Sequence, residues 1–147
     1  DKKIKTKIPN FQEKPFSEES IIKIDCYNVD YAQGITKGID TFKQFMNDKV
    51  AKQLEGKMKL TGSVSGSEMC LDLLFGEVDA IAVMIAKGVF EPPAFYFLTK
   101  ELKGYASDLK GVNLGKRKWG PVGMDIDGAI FSSSNEIGKF IINYIKN

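Results

Sequence analysis

Histidine is absent from this chain of 147 residues, and arginine occurs once, at Arg117. Without histidine, the chain can form neither a Ser-His-Asp triad nor a metal site with imidazole ligands. A guanidinium is the group that binds carboxylate or phosphate through two parallel hydrogen bonds, so Arg117 is the single candidate for that role. Several common catalytic classes are therefore excluded from the start.

Cysteine is also scarce, since the chain has Cys26 and Cys70 alone. They are too few for a disulfide framework and too far apart for a CxxC motif. Both lie among apolar residues, which is typical of buried free thiols, although one bridge between neighbouring elements stays open in an oxidising compartment. No apolar run approaches the ~20 residues that a membrane-spanning helix needs, so we expect no membrane span.

The composition that remains is that of an ordinary folded domain. Hydrophobic residues make up 43% and charged residues 27% of the chain, which excludes a disordered protein. A formal net charge of +2 is too small to predict nucleic-acid binding. The chain begins with Asp1 and carries no signal peptide, as a mature exported protein would, so we expect an extracytoplasmic location; a cytoplasmic one stays open.

Hydrophobic spacing predicts a single α/β or α+β domain over 20–147, preceded by an extended arm over 1–19. The clearest helix spans 34–54, and an amphipathic helix spans 135–146. Alternating or apolar runs predict a mixed sheet of about five strands. The predicted strands cover 21–27, 57–64, 78–86, 94–99 and 124–132.

The segment 67–86 allows two foldings, and the choice decides the class of protein. As a helix followed by a strand, Ser67 begins the helix, Gly76 ends it, and 78–86 is a buried parallel strand. As a strand followed by a helix, 68–75 alternates and 77–87 is helical. The Ser-Gly-Ser turn and the β-branched residues after Asp79 favour the first version.

In that version, residues 34–95 resemble the first lobe of extracytoplasmic solute-binding proteins of the tripartite-transporter type. The resemblance rests on Glu-Gly-Lys-Met-Lys-Leu, Ser-Gly-Ser-Glu-Met and Leu-Leu-Phe-Gly-Glu-Val-Asp-Ala. It implies a non-enzymatic binding protein that holds a small organic ligand in strand-end loops, with donors from Ser63, Ser65 and Ser67. Arg117 and Trp119, in a glycine-flanked basic loop, are further candidate ligand contacts, although a solvated basic turn is the simpler interpretation.

Two alternatives remain. In the strand-then-helix version, the chain is similar to the shell-protein domain of bacterial microcompartments, which implies a self-assembling structural subunit. Val-Gly-Met-Asp-Ile-Asp-Gly-Ala-Ile resembles the first motif of haloacid-dehalogenase-type phosphatases, which implies an Mg²⁺-dependent enzyme using Asp125 and Asp127. We expect the binding protein, with no catalytic residue, metal or cofactor; its partner is a small-molecule ligand or, in an oligomer, a second copy.

Overall fold

The computed structural model describes most of the predicted domain. The described residues are 11, 13–25, 49–63, 65–84, 91–117, 119–120, 123–124 and 127–146. Cys26, Asp125 and residues 34–48 of the predicted long helix lie outside them.

A five-stranded mixed sheet forms the centre of the structure. Its strands are β1 (Ile21–Asp25), β2 (Lys59–Ser63), β3 (Ala80–Met84), β4 (Tyr105–Asp108) and β7 (Gly128–Ser132), with β5 (Trp119–Gly120) and β6 (Gly123–Met124) forming a separate pair. The spatial order is β2-β1-β3-β7-β4. β1 pairs in parallel with β2 and β3, whereas β7 runs antiparallel to both β3 and β4. This confirms the predicted mixed sheet of about five strands within an α/β domain.

Helices cover both faces of the sheet. They are α1 (described over 49–54), α2 (Gly66–Phe75), α3 (Glu91–Glu101) and α4 (Asn135–Ile145). On one face, α1 and α4 pack on strand residues such as Ile22, Ile24 and Ile130. On the other, α2 and α3 pack on Ile81 and Phe131. Each face thus has its own apolar cluster, as expected for a sheet buried on both sides.

Local signals explain where the helices begin and end. The Ser65 hydroxyl accepts a hydrogen bond from the Glu68 N–H at 3.2 Å, and Ser134 does the same for Ile137 at 3.4 Å. Gly76 ends α2 in the left-handed conformation, with φ of 78°. The helix-then-strand prediction for 67–86 is therefore confirmed, although the helix is capped by Ser65 rather than Ser67. The amphipathic C-terminal helix is also confirmed.

The strand predicted over 94–99 is wrong, because this segment lies inside α3. Proline is tolerated in the first turn of a helix, where its missing N–H would have no intrahelical partner. Pro92 and Pro93 occupy that turn and do not break the helix. Phe95 and Thr99 are one helical turn apart and both buried, which is the helical spacing that the aromatic run concealed.

Asp79 holds together segments that are distant along the chain. Its carboxylate accepts hydrogen bonds from the Ile21 N–H at 2.9 Å and from the Lys14 ammonium at 2.7 Å. Its backbone carbonyl accepts from the Ser132 hydroxyl at 3.1 Å and the Ser133 N–H at 3.0 Å. The starts of β1 and β3, the end of β7 and the segment around Lys14 are thereby fixed to one residue.

The segment 13–16 packs against the start of α4. Phe16 stacks on Phe140, and the Ser134 hydroxyl donates to the Lys14 carbonyl at 2.7 Å. Glu13 accepts a hydrogen bond from the Glu136 N–H at 3.2 Å. Within the described ranges, no helix has the length and apolar character that crossing a membrane requires.

Close packing of α4 on β4 gives a stability prediction. A Cβ atom at Gly138 would lie 2.3 Å from Tyr105 Cδ1 and 2.7 Å from Tyr105 Cβ, so Gly138→Ala forces the helix or the ring to move. Overpacking of this kind costs about 1–3 kcal/mol of unfolding free energy, which urea denaturation measures. Lys139→Ala, on the exposed side of the same helix, serves as control and should change stability by less than about 0.5 kcal/mol. Equal stability of the two variants would contradict this description of the interface.

Candidate functional site

One edge of the sheet collects polar side chains from several strands. The parallel register places Asp25, at the end of β1, beside Ser63, at the end of β2. Because β7 is antiparallel to β3 and β4, the end of β4 at Asp108 lies at the same edge. We call this the carboxyl edge. Open α/β sheets bind ligands at such an edge, outside the carboxyl ends of their strands.

The turn from Ser63 to Glu68 joins β2 to α2 at this edge. The Ser63 hydroxyl donates to Glu68 Oε2 at 2.8 Å and accepts from the Ser65 N–H at 3.0 Å. Ser63 is buried, whereas Ser67 is exposed in the first turn of α2. The three predicted serines therefore lie together, but Ser63 and Ser65 already use their hydroxyls to shape the turn.

Lys23 ties this turn to the sheet. Its ammonium donates to Glu68 Oε1 at 3.1 Å and also pairs with Asp72, one turn further along α2. Burial disfavours the charged ammonium, but these hydrogen bonds outweigh it, so the pKa of Lys23 is raised. The hydrogen bond from Ser63, followed by that from Lys23, lowers the pKa of the Glu68 carboxyl. The charges on Lys23 and Glu68 thus stabilise each other across the start of α2.

Asp25 is a second acidic group at the carboxyl edge and is fully buried. It was not among the predicted site residues. The signal that could have identified it is an acidic residue at the end of an apolar parallel strand, next to a serine of the neighbouring strand. Glu68, also overlooked, lies three residues after a capping serine, as in a capping box.

Arg117 is engaged by the protein itself. Its guanidinium pairs with the buried Asp108 carboxylate, which also accepts hydrogen bonds from the Lys110 and Val112 N–H groups at 2.9 and 2.8 Å. Asp108 ends β4 and Ser63 ends β2, the two outer strands of the sheet. At ~4.8 Å per strand, about 19 Å separates them. The structure therefore places Arg117 and the serines at one edge but far apart.

The structure describes the remaining candidate residues only in part. The backbone of Trp119 pairs with Met124 in the small β5–β6 ribbon. Asp127 is exposed and immediately precedes β7. Cys70 is a free, half-buried thiol, and burial raises its pKa, so it has none of the properties of a nucleophile.

The fold is similar to that of known phosphatase structures. SaIMPase-II with bound inositol monophosphate superposes with a TM-score of 0.62 and 13% identity, over 92% of this chain and 44% of that one. The inositol monophosphatase-II structure from Staphylococcus aureus gives 0.60 and 12% over 92% and 44%, and the extragenic suppressor protein suhB from Bartonella henselae gives 0.65 and 11% over 92% and 45%. The chain thus spans less than half the length of these proteins. No family model matches the sequence, and no curated protein matches it significantly.

These similarities correct three expectations. The resemblance to solute-binding proteins is wrong, because the fold neighbours are inositol monophosphatases. The shell-protein alternative is overturned by the same finding. The expectation of a non-enzymatic protein is contradicted too, because the fold is one found in enzymes. Among the alternatives, a phosphatase-type protein agrees best with these neighbours. That alternative was inferred from a haloacid-dehalogenase motif, however, and the neighbours are inositol monophosphatases.

In the parts of the chain that the structure describes, no group of three or more acidic or cysteine side chains could hold a metal ion. Asp25, Asp108 and Asp127 end or precede different strands and do not form such a group. These residues do not form a metal site by themselves, and we derive no reaction step through a metal.

The cap of α2 gives a prediction that separates two neighbouring serines. Ser65→Ala removes the acceptor for the Glu68 N–H, and loss of such a cap costs about 1 kcal/mol of unfolding free energy. Ser67→Ala, within the same turn but exposed, should change stability by less than about 0.5 kcal/mol. Urea denaturation of both variants measures the difference; a larger loss from Ser67→Ala would show that the cap is wrongly assigned.

The lowered pKa of Glu68 gives a pH dependence. A carboxyl whose pKa is lower in the folded state stabilises the fold above its unfolded pKa of about 4.5, and this contribution is lost as pH falls through the folded pKa. Unfolding free energy should therefore fall more steeply between pH 5 and 3 in the wild type than in Glu68→Gln. The difference should be a few tenths of a kcal/mol, since Glu68 is about half exposed and water screens its charge. Parallel pH profiles would rule out this stabilisation.

Proposed function

We propose that the chain forms one lobe of a phosphatase-type protein acting on phosphate monoesters of small hydroxylated molecules. The observation that carries the proposal is the fold similarity to SaIMPase-II, which extends over nearly the whole chain. One of those structures contains inositol monophosphate and another contains 2'AMP, the latter matching at a TM-score of 0.62 and 15% identity over 95% of this chain and 45% of that one. Both ligands combine a phosphate ester with a hydroxylated ring.

The carboxyl edge offers groups that suit such a ligand. The N-terminus of α2 presents backbone N–H groups and the positive end of the helix dipole, which favour a phosphate. The exposed Ser67 hydroxyl lies in the first turn of that helix, and Ser65 caps it. Hydrogen bonds among Lys23, Ser63 and Glu68 hold the turn in place. The turn therefore loses little conformational entropy when a ligand binds.

The role assigned to this lobe is to bind and orient the ester. No described residue is assigned the activation of water, and the absence of histidine removes the commonest general base from the chain. We therefore propose that the phosphate of the substrate lies against the Ser63–Glu68 turn. Hydrolysis is assigned to the complete site, of which this lobe forms one part.

Titration with inositol monophosphate and 2'AMP, with binding followed by the NMR amide signals of 65–69 at the start of α2, tests the proposal. We expect saturable binding of both esters and much weaker binding of inositol and adenosine, because the phosphate provides the main contact. Ser67→Asp should weaken binding of the esters at least tenfold, since it puts a negative charge beside the phosphate. The same substitution suits the first turn of a helix, so the variant should remain folded.

Asn135→Asp is the matched control. It adds the same charge to the first turn of α4, which begins at the opposite edge of the sheet, and should leave ester binding unchanged. Release of inorganic phosphate, measured with and without added Mg²⁺, then shows whether binding is followed by hydrolysis. If inositol and its phosphate bind equally at the start of α2, or if neither binds there, the proposal is wrong.

A further inference from the structure

A separate cavity of about 270 Å³ lies among α1, the end of α4 and the turn after β4. Its polar lining comes from Lys49 and Gln53 of α1, Lys110, Asp127 and Lys146. We call it the lysine cavity. It lies on the face of the sheet covered by α1 and α4, whereas α2 packs on the other face. It is therefore distinct from the Ser63–Glu68 turn.

The described lining of the lysine cavity is positively charged on balance. It includes three lysines from three different parts of the chain and one acidic residue, Asp127, all four of them exposed. Within the described ranges, none of these four groups forms an ion pair, in contrast to Lys14, Lys23 and Lys59, each of which has an acidic partner. A concave site lined by charges of one sign concentrates the electrostatic potential and attracts small ions of the opposite sign.

Gln53 adds an unsatisfied acceptor. Its Oε1 atom is buried, and no described residue donates a hydrogen bond to it. A buried acceptor without a donor costs about 1–3 kcal/mol, which a ligand hydroxyl or N–H placed there would recover. The cavity thus presents ammonium donors for an anion beside a carbonyl oxygen for a neutral donor.

The backbone holds part of this arrangement in position. The Lys110 N–H donates to Asp108 Oδ1 at 2.9 Å, which fixes the turn after β4. Gly111 follows with φ of 74°, and a Cβ atom there would lie 2.7 Å from Lys146 Nζ. Glycine is therefore what allows the Lys146 ammonium to lie against this turn. Two of the three lysines are brought together by local structure rather than by chance proximity on a surface.

We propose that the lysine cavity binds a small phosphorylated polyol. The phosphate lies among the ammonium groups of Lys49, Lys110 and Lys146, one hydroxyl donates to Gln53 Oε1, and another donates to Asp127. The volume, near the lower end of the ~300–1,000 Å³ of small-molecule pockets, suits a molecule of metabolite size. Among the described residues, no aromatic side chain lines the cavity, so they offer no surface on which a nucleobase could stack. This site goes beyond the function proposed above and does not depend on it.

Titration with glycerol 3-phosphate, inorganic phosphate and glycerol tests the proposal, with binding followed by NMR chemical shifts. We expect glycerol 3-phosphate to bind most tightly and to shift amide signals of 49–53, 109–111 and 145–146. Lys110→Gln and Lys146→Gln should each weaken binding about tenfold, because each removes a charge-assisted hydrogen bond. Lys52→Gln and Lys139→Gln, exposed on α1 and α4 but outside the cavity, should have no such effect.

Gln53→Leu separates this site from a general attraction to positive charge. It removes the acceptor but no charge, so it should weaken binding of glycerol 3-phosphate severalfold and leave inorganic phosphate unaffected. The proposal is overturned if no ligand binds saturably, or if all four lysine variants weaken binding equally. It is also overturned if Ser67→Asp abolishes the binding, since the ligand would then occupy the start of α2. Failure here leaves the proposed binding at the Ser63–Glu68 turn untouched, because that binding is followed by the signals of 65–69.

Discussion

Asp79 is the residue on which the arrangement of the central strands depends. Its carboxylate receives the Ile21 N–H and the Lys14 ammonium, and its carbonyl receives donors from Ser132 and Ser133. Two strands therefore begin, and a third ends, against the same buried residue. A carboxylate that loses water on burial must be matched by hydrogen bonds, and here those bonds come from parts of the chain that have to be adjacent. Because the buried Asp79 carboxylate needs these hydrogen bonds, the strands that supply them must keep a fixed register.

The arrangement of residues at the opposite ends of β1 and β3 follows from that constraint. Once β1 and β3 begin together, their parallel register brings Asp25 beside Ser63 at the carboxyl edge. The Ser63–Glu68 turn then has a fixed support, and Lys23 connects α2 to β1 across it. Polar residues at one edge hold the strands together, while those at the other hold the Ser63–Glu68 turn and the start of α2 against β1.

Much of this architecture could be predicted from the sequence, because it depends on local signals. The Ser-Gly-Ser turn, Gly76 and the apolar run 80–84 were sufficient to choose helix followed by strand. A strand was wrongly predicted over 94–99, because Pro92-Pro93 suggested a break in the chain and the aromatic residues favour strands, although proline fits the first turn of a helix. The site was harder to predict. The serines were recognised as a turn, but the pairing of Arg117 with Asp108 depends on tertiary folding that spacing along the chain does not show. The predicted family was wrong because it rested on a helix–turn–strand pattern, and such patterns recur in unrelated folds.

The position of β7 within the sheet has a consequence for how the chain acquires its structure. β7 lies between β3 and β4, and among the described strands β4 has no other neighbour in this sheet. While residues 128–132 are still inside the ribosome, β3 exposes an unpaired edge and β4 has no strand to join. Exposed edges are where partly folded chains pair with one another. The sheet can therefore be completed only after residues 128–132 have left the ribosome. Nascent chains should be most prone to associate with one another before that point.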